Sequence, residues 1–457
     1  MQGPWFFIGV GGTGMSAIAQ LLAFKGEAVS GSDRDFARDA DSSVKRGLEK
    51  AGVKCFPQDA SGLDASVRTV VISTAIENDH PELLKARELG CEVVHRSDAL
   101  AWLCASHRTI AVSGTSGKST TTGLVFHILR GLGQDPSLLS GAGLADLQAE
   151  GWIGNGWGGK GEWLVIEADE SDGTLVKYRS EIGLILNIDR DHKELDELMR
   201  IFGTFAGNCA KLAVNLDNAS SASLSRNRAN DFSLERPAAG LFCDSVEPSP
   251  AGSRFRIGGL EGELPLPGRH NVSNALAALA AVRMAGFPLA DALRTLGTFR
   301  GIWRRYQVVG ADRGVTVVDD FAHNPAKIDA VLATAQERSE RVLAWFQPHG
   351  FAPARFMRQE LAERLGARMR PQDVLWFSEI HFAGGTVTRD ISGADLAEEA
   401  RKRGCDARFA ADREEAIGQI LETARPGDLI LLMGARDPSL EGFAKHVFER
   451  LKTRSRT

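Results

Sequence analysis

Residues 110–122 read IAVSGTSGKSTTT. A short apolar run ends in Ser113, and Gly114, Thr115, Ser116 and Gly117 make a tight turn. Lys118, Ser119 and Thr120 then open a stretch with Leu124, Val125, Ile128, Leu129 and Leu132 at helical spacing. A strand, a glycine turn and a helix starting Lys-Ser can cradle phosphate. Loop and first-turn N–H groups converge on the anion, and the helix macrodipole favours negative charge there. Lys118 would reach the terminal phosphates of a nucleotide and Ser119 would offer a hydroxyl to Mg²⁺. Val112 stands where the general phosphate-loop spacing has its first glycine, so a plain glycine turn is the competing reading.

Four other stretches carry chemistry. Residues 163–166 read as a short strand, followed by EADESD: the four carboxylates of Glu167, Asp169, Glu170 and Asp172. Hard cations such as Mg²⁺ take oxygen ligands, so this cluster suits a metal; a solvated acidic turn is the alternative. The strand expected over 182–188 ends in Asp189-Arg190-Asp191-His192, and His192 is read as a site residue because its strand belongs to the same sheet. Asn271 and Asn274, three apart at the start of an Ala-rich helix, share one face of its first turn, unless they are an N-cap and a surface residue. At the chain start, an apolar run over 5–10 leads into GVGGTGMS, where Gly9, Gly11 and Gly14 satisfy G-x-G-x-x-G. A helix follows over 15–24, and a second strand ends in Asp33. That is a Rossmann-like opening with Asp33 placed to meet a ribose; a dinucleotide, another ligand or a simple turn all remain open.

The elements that position these groups alternate between strand and helix. Strands are expected over 69–73, 92–95, 342–346, 374–377, 407–409 and 429–433, with a helix over 81–89 and Ser97 capping a helix that begins near Asp98. This pattern gives an α/β fold of Rossmann-like or phosphate-loop domains on mostly parallel sheets. At 457 residues the chain should hold about three domains, placed at 1–107, 108–298 and 299–457, with a hinge over 298–303. Net charge is −5 without a long basic run, which argues against nucleic acid or an anionic membrane as the main partner. Six scattered cysteines form no metal-ligand pair and fit a reducing compartment. No stretch reaches the roughly 18 apolar residues of a membrane span, and no basic region precedes the first apolar run, so a cytoplasmic protein is expected.

GTSGKSTTT resembles the short phosphate loop of the Mur ligases, which join a carboxylate to an amine at the expense of ATP. FIGVGGTGMSAIAQLL, VSGSD and VVISTAIENDHPELLKARELG are similar to the first domain of the alanine-adding members, whose glycine loop holds the diphosphate of a UDP-sugar. The resemblance implies UDP-sugar contacts from Gly11, Gly12, Thr13, Gly14, Met15 and Ser16, with Asp33 and Ser73 beside them. It implies ATP contacts from Gly114, Thr115, Ser116, Gly117, Lys118, Ser119 and Thr120. EADESD and the later DH look like family metal segments, which makes Glu167 and His192 ligands of a second Mg²⁺, with Ser119 on the first. Gly207 lies near the position where some branches carry a carbamylated lysine, in agreement with the alanine-adding branch. GRHNVSNALAA is nearly the family's adenine segment and implies that role for Asn271 and Asn274, with His270 beside them. GIWRRYQVVG resembles G-x-x-RR-[FY], so Arg305 would touch the transferred phosphate, and Asp320 would bind the ribose. Arg suits the task because its fixed fork spreads positive charge over phosphate oxygens. Lys118, His192 and Arg305 are then the catalytic set, with His323 handling the amine proton or orienting the amino acid.

Several residues depart from the alanine-adding pattern. DDFAHNP stands for DDYGHHP, with Phe321 and Asn324 replacing a Tyr and a His. FQPHGFAP stands for FQPHRYTR, so two arginines expected to grip the amino acid are Gly350 and Pro353. Ser116 replaces a His in the phosphate loop, and the closing MGARDPSL is closer to other branches. Arg355, Arg358, Arg389 and Arg436 are candidates to substitute for the clamp. The expected function is Mg²⁺- and ATP-dependent addition of an amino acid, most simply L-alanine, to UDP-N-acetylmuramate in peptidoglycan precursor synthesis, by a monomer or homodimer. A related ligase taking a peptide or another amino acid keeps the chemistry and changes the amine. A nicotinamide-dependent oxidoreductase and a non-catalytic UDP-sugar binder are the readings from other classes.

Overall fold

The computed structural model describes residues 1–38, 42–190, 193–249, 252–382 and 388–453. The chain divides into two compact units, Met1–Trp303 and Arg304–Thr457.

The first unit holds two parallel sheets. One is built from β1 (Trp5–Ile8), β2 (Val29–Asp33), β3 (Lys54–Pro57), β4 (Thr69–Ile72) and β5 (Glu92–His95), in the order β3-β2-β1-β4-β5. Helices α1 (Thr13–Phe24), α2 (Ser43–Lys50), α3 (Pro81–Glu88) and α4 (Arg96–Ala105) connect them. The sequence WFFI of β1 is buried at every position because strands flank it on both sides and helices cover its faces. The expectation that Ser97 caps α4 is corrected: His95 is the N-cap, and its Nδ1 accepts from the Ser97 N–H at 3.2 Å.

The second sheet contains β6 (Arg108–Ser113), β7 (Ser137–Leu139), β8 (Gly156–Trp157), β9 (Trp163–Glu167), β10 (Ser180–Ile185) and β11 (Cys209–Val214), in the order β11-β10-β6-β9-β7-β8. Only β8 runs antiparallel to its neighbour. Helices α5 (Lys118–Gly131), α6 (Ala145–Ala149) and α7 (Leu195–Asn208) accompany it. The strand expected over 182–188 ends at Ile185. Beyond it the Leu186 N–H donates to the carbonyl of Ser113, the last residue of β6, and the Asn187 carbonyl accepts from the Thr115 N–H of the glycine loop. A short helix α8 (Ala219–Ala222) and strands β12 (Phe232–Ser233) and β13 (Leu241–Phe242) lead to an antiparallel sheet of β14 (Ser245–Pro248), β15 (Ser253–Ile257) and β16 (Leu260–Leu264). Helices α9 (Arg269–Met284) and α10 (Leu289–Leu296) then pack on α5.

These two large sheets share one apolar core, in which Phe7, Ile18 and Leu22 join Leu139, Leu164 and Ile166. The polar seam between them is satisfied as well. Asn155 donates to the Thr13 carbonyl at 2.8 Å and accepts from Gln20 at 2.9 Å. A side chain at Gly156 would lie 2.6 Å from the Ala17 carbonyl oxygen, so only glycine lets β8 approach α1 this closely.

In the second unit, β17 (Gln307–Asp312), β18 (Val315–Asp320), β19 (Arg341–Gln347), β20 (Val374–Phe377), β21 (Ala407–Phe409) and β22 (Asp428–Gly434) form a sheet ordered β17-β18-β22-β19-β20-β21. All neighbours are parallel except the edge strand β17. Helices α11 (Pro325–Gln336), α12 (Phe351–Arg368), α13 (Gly393–Lys402), α14 (Arg413–Thr423) and α15 (Leu440–Thr453) complete the unit. Among the described residues no helix is long and apolar enough to cross a membrane.

Candidate active site

The glycine turn after β6 is a built loop. Gly114 has φ +143° and Gly117 φ +85°; a side chain at Gly114 would press on Leu186 Cβ at 3.0 Å and the Asn187 N–H at 3.1 Å. Gly117 caps α5 without a side-chain acceptor, so the N–H groups of Lys118, Ser119 and Thr120 have no partner within the helix. Thr115, Ser119 and Thr120 are buried. The residue that shapes the loop is Asn187. Its Oδ1 accepts from Thr115 Oγ1 and the Ser116 N–H, both at 2.8 Å, and its Nδ2 donates to the Ser116 carbonyl at 3.1 Å. Ser116 therefore serves the loop's own scaffold through its backbone.

Lys118 Nζ donates to the Gly114 carbonyl and to the Glu170 carboxylate, each at 2.7 Å, with Asp169 at 4.0 Å. Burial works against the ammonium, but the carboxylates of Glu170, Asp169 and Glu167 outweigh it and hold its pKa above the ordinary lysine value. Lys118 is thus a cation at neutral pH. Glu167, aligned with Val112 at the end of β9, accepts from the Gly141 N–H at 2.7 Å. His192 lies outside the described residues. Among the described residues no three acidic, imidazole or thiol groups converge on one point. Mg²⁺ is commonly held by one or two carboxylates plus substrate phosphates, and a buried Ser119 hydroxyl with the Glu167 carboxylate fits that mode.

Asn271 and Asn274 lie in the first two turns of α9, both buried, with Asn274 Nδ2 3.4 Å from Asn271 Oδ1. A side chain at Gly117 would collide with Asn274 Oδ1, which brings the expected adenine residues against the phosphate loop. His270 beside them is exposed.

The glycine loop after β1 opens on a 720 Å³ cleft lined by Gly9, Gly12, Thr13, Gly14, Met15 and Asp33 on one side and by Ser73, Ile76, His80 and Arg96 on the other. Asp33 Oδ2 accepts from the Gly11 N–H at 2.9 Å and so anchors the loop. Gly11 and Ser16 do not line the cleft. The Ser16 hydroxyl is buried between the Thr13 carbonyl, to which it donates at 3.0 Å, and Asn155, from which it accepts at 3.0 Å.

In the second unit the two neighbours of the Arg-Arg pair have different surroundings. Arg304 is buried, with a two-pronged ion pair to Asp319 at 2.8 and 3.0 Å. Arg305 is half-buried, its guanidinium 4.9 Å from the Phe321 ring centre. Asp320 accepts from the Tyr306 and Ala322 N–H groups, each at 2.7 Å; burial raises its pKa, against Arg305 and these bonds. His323 Nδ1 is 2.9 Å from the Phe321 carbonyl. A carbonyl only accepts, so Nδ1 carries the proton and Nε2 keeps a free lone pair. Burial first, then Lys327, pushes the His323 pKa well below the ordinary histidine value. Of the candidate substitutes for the clamp, Arg355 pairs with Asp390, Arg358 pairs with Glu399 at 2.7 Å, Arg389 stacks 4.4 Å from the Phe382 ring centre, and Arg436 is exposed.

Sequence reasoning missed Asn187 and Arg96. Asn187 sits in the segment already singled out for His192, but only its position opposite the glycine loop reveals its role. Arg96 carries no spacing signal at all.

A phosphate cradle and a glycine-rich cleft on two parallel sheets define a nucleotide-handling α/β protein. Residues 6–108 match the Mur ligase family catalytic domain, 112–282 the Mur ligase middle domain and 304–436 the Mur ligase glutamate ligase domain. The chain is 37% identical over 465 residues to a UDP-N-acetylmuramate–L-alanine ligase of Synechococcus sp. (strain RCC307), covering 95% of this chain and 93% of that one. The crystal structure of the UDP-N-acetylmuramate–alanine ligase of Thermotoga maritima superposes with a TM-score of 0.80 at 26% identity, covering 98% and 99%. A murein peptide ligase of Psychrobacter arcticus shares the fold at a TM-score of 0.69 and 22% identity, covering 99% of each chain. The chain belongs to the Mur ligase family and is an ATP-dependent ligase with all three of its domains. That membership sets aside the oxidoreductase reading.

Proposed function

We propose that this ligase joins the amino group of an amino acid, L-alanine in the first instance, to the carboxylate of UDP-N-acetylmuramate, in the cytoplasmic synthesis of peptidoglycan precursors. The observation that carries the reading is the coexistence, in one compact unit, of the glycine-loop cleft and the Lys118 cradle.

A muramate carboxylate oxygen attacks the γ-phosphorus of ATP, the bond to the β-γ bridging oxygen breaks, and ADP leaves with an acyl phosphate as the other product. The amine nitrogen then attacks the acyl carbon, a tetrahedral intermediate forms, and the C–O bond breaks to release phosphate while the amine gives up a proton. Lys118, cationic and held beneath the loop, binds the negative charge of the terminal phosphates. The N–H groups of Lys118, Ser119 and Thr120 orient the same oxygens, and Asn187 keeps their loop in shape. Asn271 and Asn274 recognise the adenine. Arg305 neutralises the phosphoryl group in flight and Asp320 meets the ribose. His323, neutral and with Nε2 unprotonated, takes the amine proton or orients the amino acid. Mg²⁺ bound by Ser119, Glu167 and His192 would add charge neutralisation at the phosphates.

One observation favours a second reading of the amine. Gly350 has φ +71°, and a side chain there would lie 3.2 Å from Pro353 Cδ, so the arginine expected at that position would be strained and tightly packed at the start of α12. A peptide amine, or another amino acid, would then occupy the second unit's strand ends.

The test is mass analysis of products from UDP-N-acetylmuramate, ATP and Mg²⁺ with a panel of single amino acids and the L-Ala-γ-D-Glu-diaminopimelate tripeptide. A product 71 mass units heavier than the sugar nucleotide, about one alanine residue, supports the first reading. A tripeptide adduct as the dominant product overturns it and supports the second. No adduct with any amine sinks both.

A further inference from the structure

Arg96 is the first residue of α4, at the carboxyl end of β5, and its guanidinium is divided between two places. Nη1 faces the glycine loop: a side chain at Gly14 would lie 2.6 Å from it. Nη2 donates to Asp172 Oδ2 at 2.8 Å, and Asp172 is the last carboxylate of the EADESD turn whose Glu170 holds Lys118. The side chain is 36% exposed and lines the cleft, so Nη1 is open to a ligand there. Asp172 is more enclosed, and its Oδ1 accepts from the Thr174 N–H at 3.0 Å and hydroxyl at 2.6 Å. The same segment is tied to α4 a second time, where Lys177 donates to Asp98 at 2.6 Å and to Ser97 at 3.1 Å.

We propose that Arg96 is a phosphate-binding residue of the sugar-nucleotide cleft, and that Asp172 is the positioning residue that aims its free edge at the diphosphate. The proposal rests on the reading of the cleft as a sugar-nucleotide site and goes beyond it, because it links that cleft to the acidic turn beside Lys118. Only a guanidinium serves both sides at once. Its planar fork donates from two terminal nitrogens in fixed directions, whereas a lysine ammonium is a single point. Charge alone gives Asp172 the opposite role. A carboxylate beside an anion site repels the anion, so its neutralisation would tighten diphosphate binding. Positioning requires that neutralisation weaken binding instead.

The experiment is titration calorimetry of UDP against the full-length protein without Mg²⁺, for wild type, Arg96→Ala, Arg96→Lys, Asp172→Asn and Arg96→Ala/Asp172→Asn. Steady-state KM values for UDP-N-acetylmuramate and ATP are measured in parallel. Wild type binding UDP supports the reading of the cleft; no binding overturns that reading and the proposal together. Given binding, Arg96→Ala should weaken UDP by about 10-fold or more, the scale of a lost charged hydrogen bond. Arg96→Lys should restore little of it. Asp172→Asn should also weaken UDP, and should do nothing further once Arg96 is gone. KM for the sugar nucleotide should rise while KM for ATP stays near the wild-type value. UDP binding that tightens or is unchanged in Asp172→Asn overturns the proposal, as does an Asp172→Asn effect that persists in the Arg96→Ala background.

Discussion

Lys118 Nζ and the Glu170 carboxylate lie 2.7 Å apart at the base of the phosphate loop. Glu170 is itself buried, so the pair holds the ammonium in a fixed place under the N–H groups that open α5. A cation placed in advance loses little on reorganisation when phosphate arrives.

Lys118→Ala should therefore lower kcat for ATP-dependent ligation by about 10²- to 10³-fold, the scale of removing one preorganised electrostatic group. UDP binding should stay within about twofold of wild type, because the cleft is lined by other residues. Phosphate release and calorimetry measure the two quantities. Equal loss of both would mean that the two loops have been assigned to the wrong ligands.

Asn187→Asp should be more harmful than its size suggests. The Nδ2 that donates to the Ser116 carbonyl becomes an oxygen, and two acceptors then face each other at 3.1 Å. KM for ATP should rise by about 10-fold, from a lost hydrogen bond and an unpaired carbonyl. A KM unchanged by the substitution would show that the loop holds its shape without Asn187.

Gly117→Ala places a side chain on a backbone with φ +85° and against Asn274 Oδ1. The strain costs about 1–2 kcal/mol and the collision displaces an expected adenine contact. ATP affinity should fall while UDP affinity does not, measured by calorimetry on the same preparation. Equal affinity for ATP in the variant would remove Asn274 from the nucleotide site.

The neighbouring arginines should behave differently. Asp319→Asn removes the carboxylate of a buried two-pronged ion pair with Arg304 and should destabilise the protein by about 3–5 kcal/mol, seen as a lower melting temperature. Arg305→Ala should leave the melting temperature within a few degrees, since its guanidinium is half-buried, but reduce kcat by about 10²-fold or more. Similar melting loss in both variants would make Arg305 a structural residue as well.

His323 should contribute a pH dependence to stability. Its folded pKa lies well below the ordinary value of about 6.5, so between those two limits the unfolded chain binds more protons than the folded one. Stability from this group is present above about pH 6.5 and is lost as pH falls towards the folded pKa. The urea midpoint of the wild type should drop more between pH 7 and pH 5 than that of His323→Gln. Equal drops would show that His323 does not sit in a place that disfavours its proton.

Most of the architecture was readable because parallel strands buried on both faces are continuous apolar runs. Strands β19, β20 and β22 are such runs and fall where they are expected. The misplacements have local causes. Ser97 looks like a cap by residue type, but the side chain one step before Arg96 already supplies the acceptor. Residues 186–188 extend the apolar run, yet the strand they would pair with ends at Ser113, where the glycine loop begins. The two glycine loops were legible because glycine at fixed offsets carries its own geometry. Asn187 and Arg96 were not, since each acts across a gap of many residues. Asn187 reaches Ser116 and Arg96 reaches Asp172, and nothing in local spacing records such pairs. The resemblance to the family points to Arg305, and Arg304 beside it is buried in an ion pair with Asp319.

The most direct measurement is the fate of ¹⁸O from the muramate carboxylate of UDP-N-acetylmuramate during turnover with ATP, Mg²⁺ and L-alanine. Attack of that carboxylate on the γ-phosphorus, followed by cleavage of the acyl C–O bond, carries one labelled oxygen into inorganic phosphate for each amide formed. Label in phosphate at that ratio is the predicted result. Label in AMP would mean activation at the α-phosphorus, and unlabelled phosphate would mean that the carboxylate is never phosphorylated; either outcome contradicts the account.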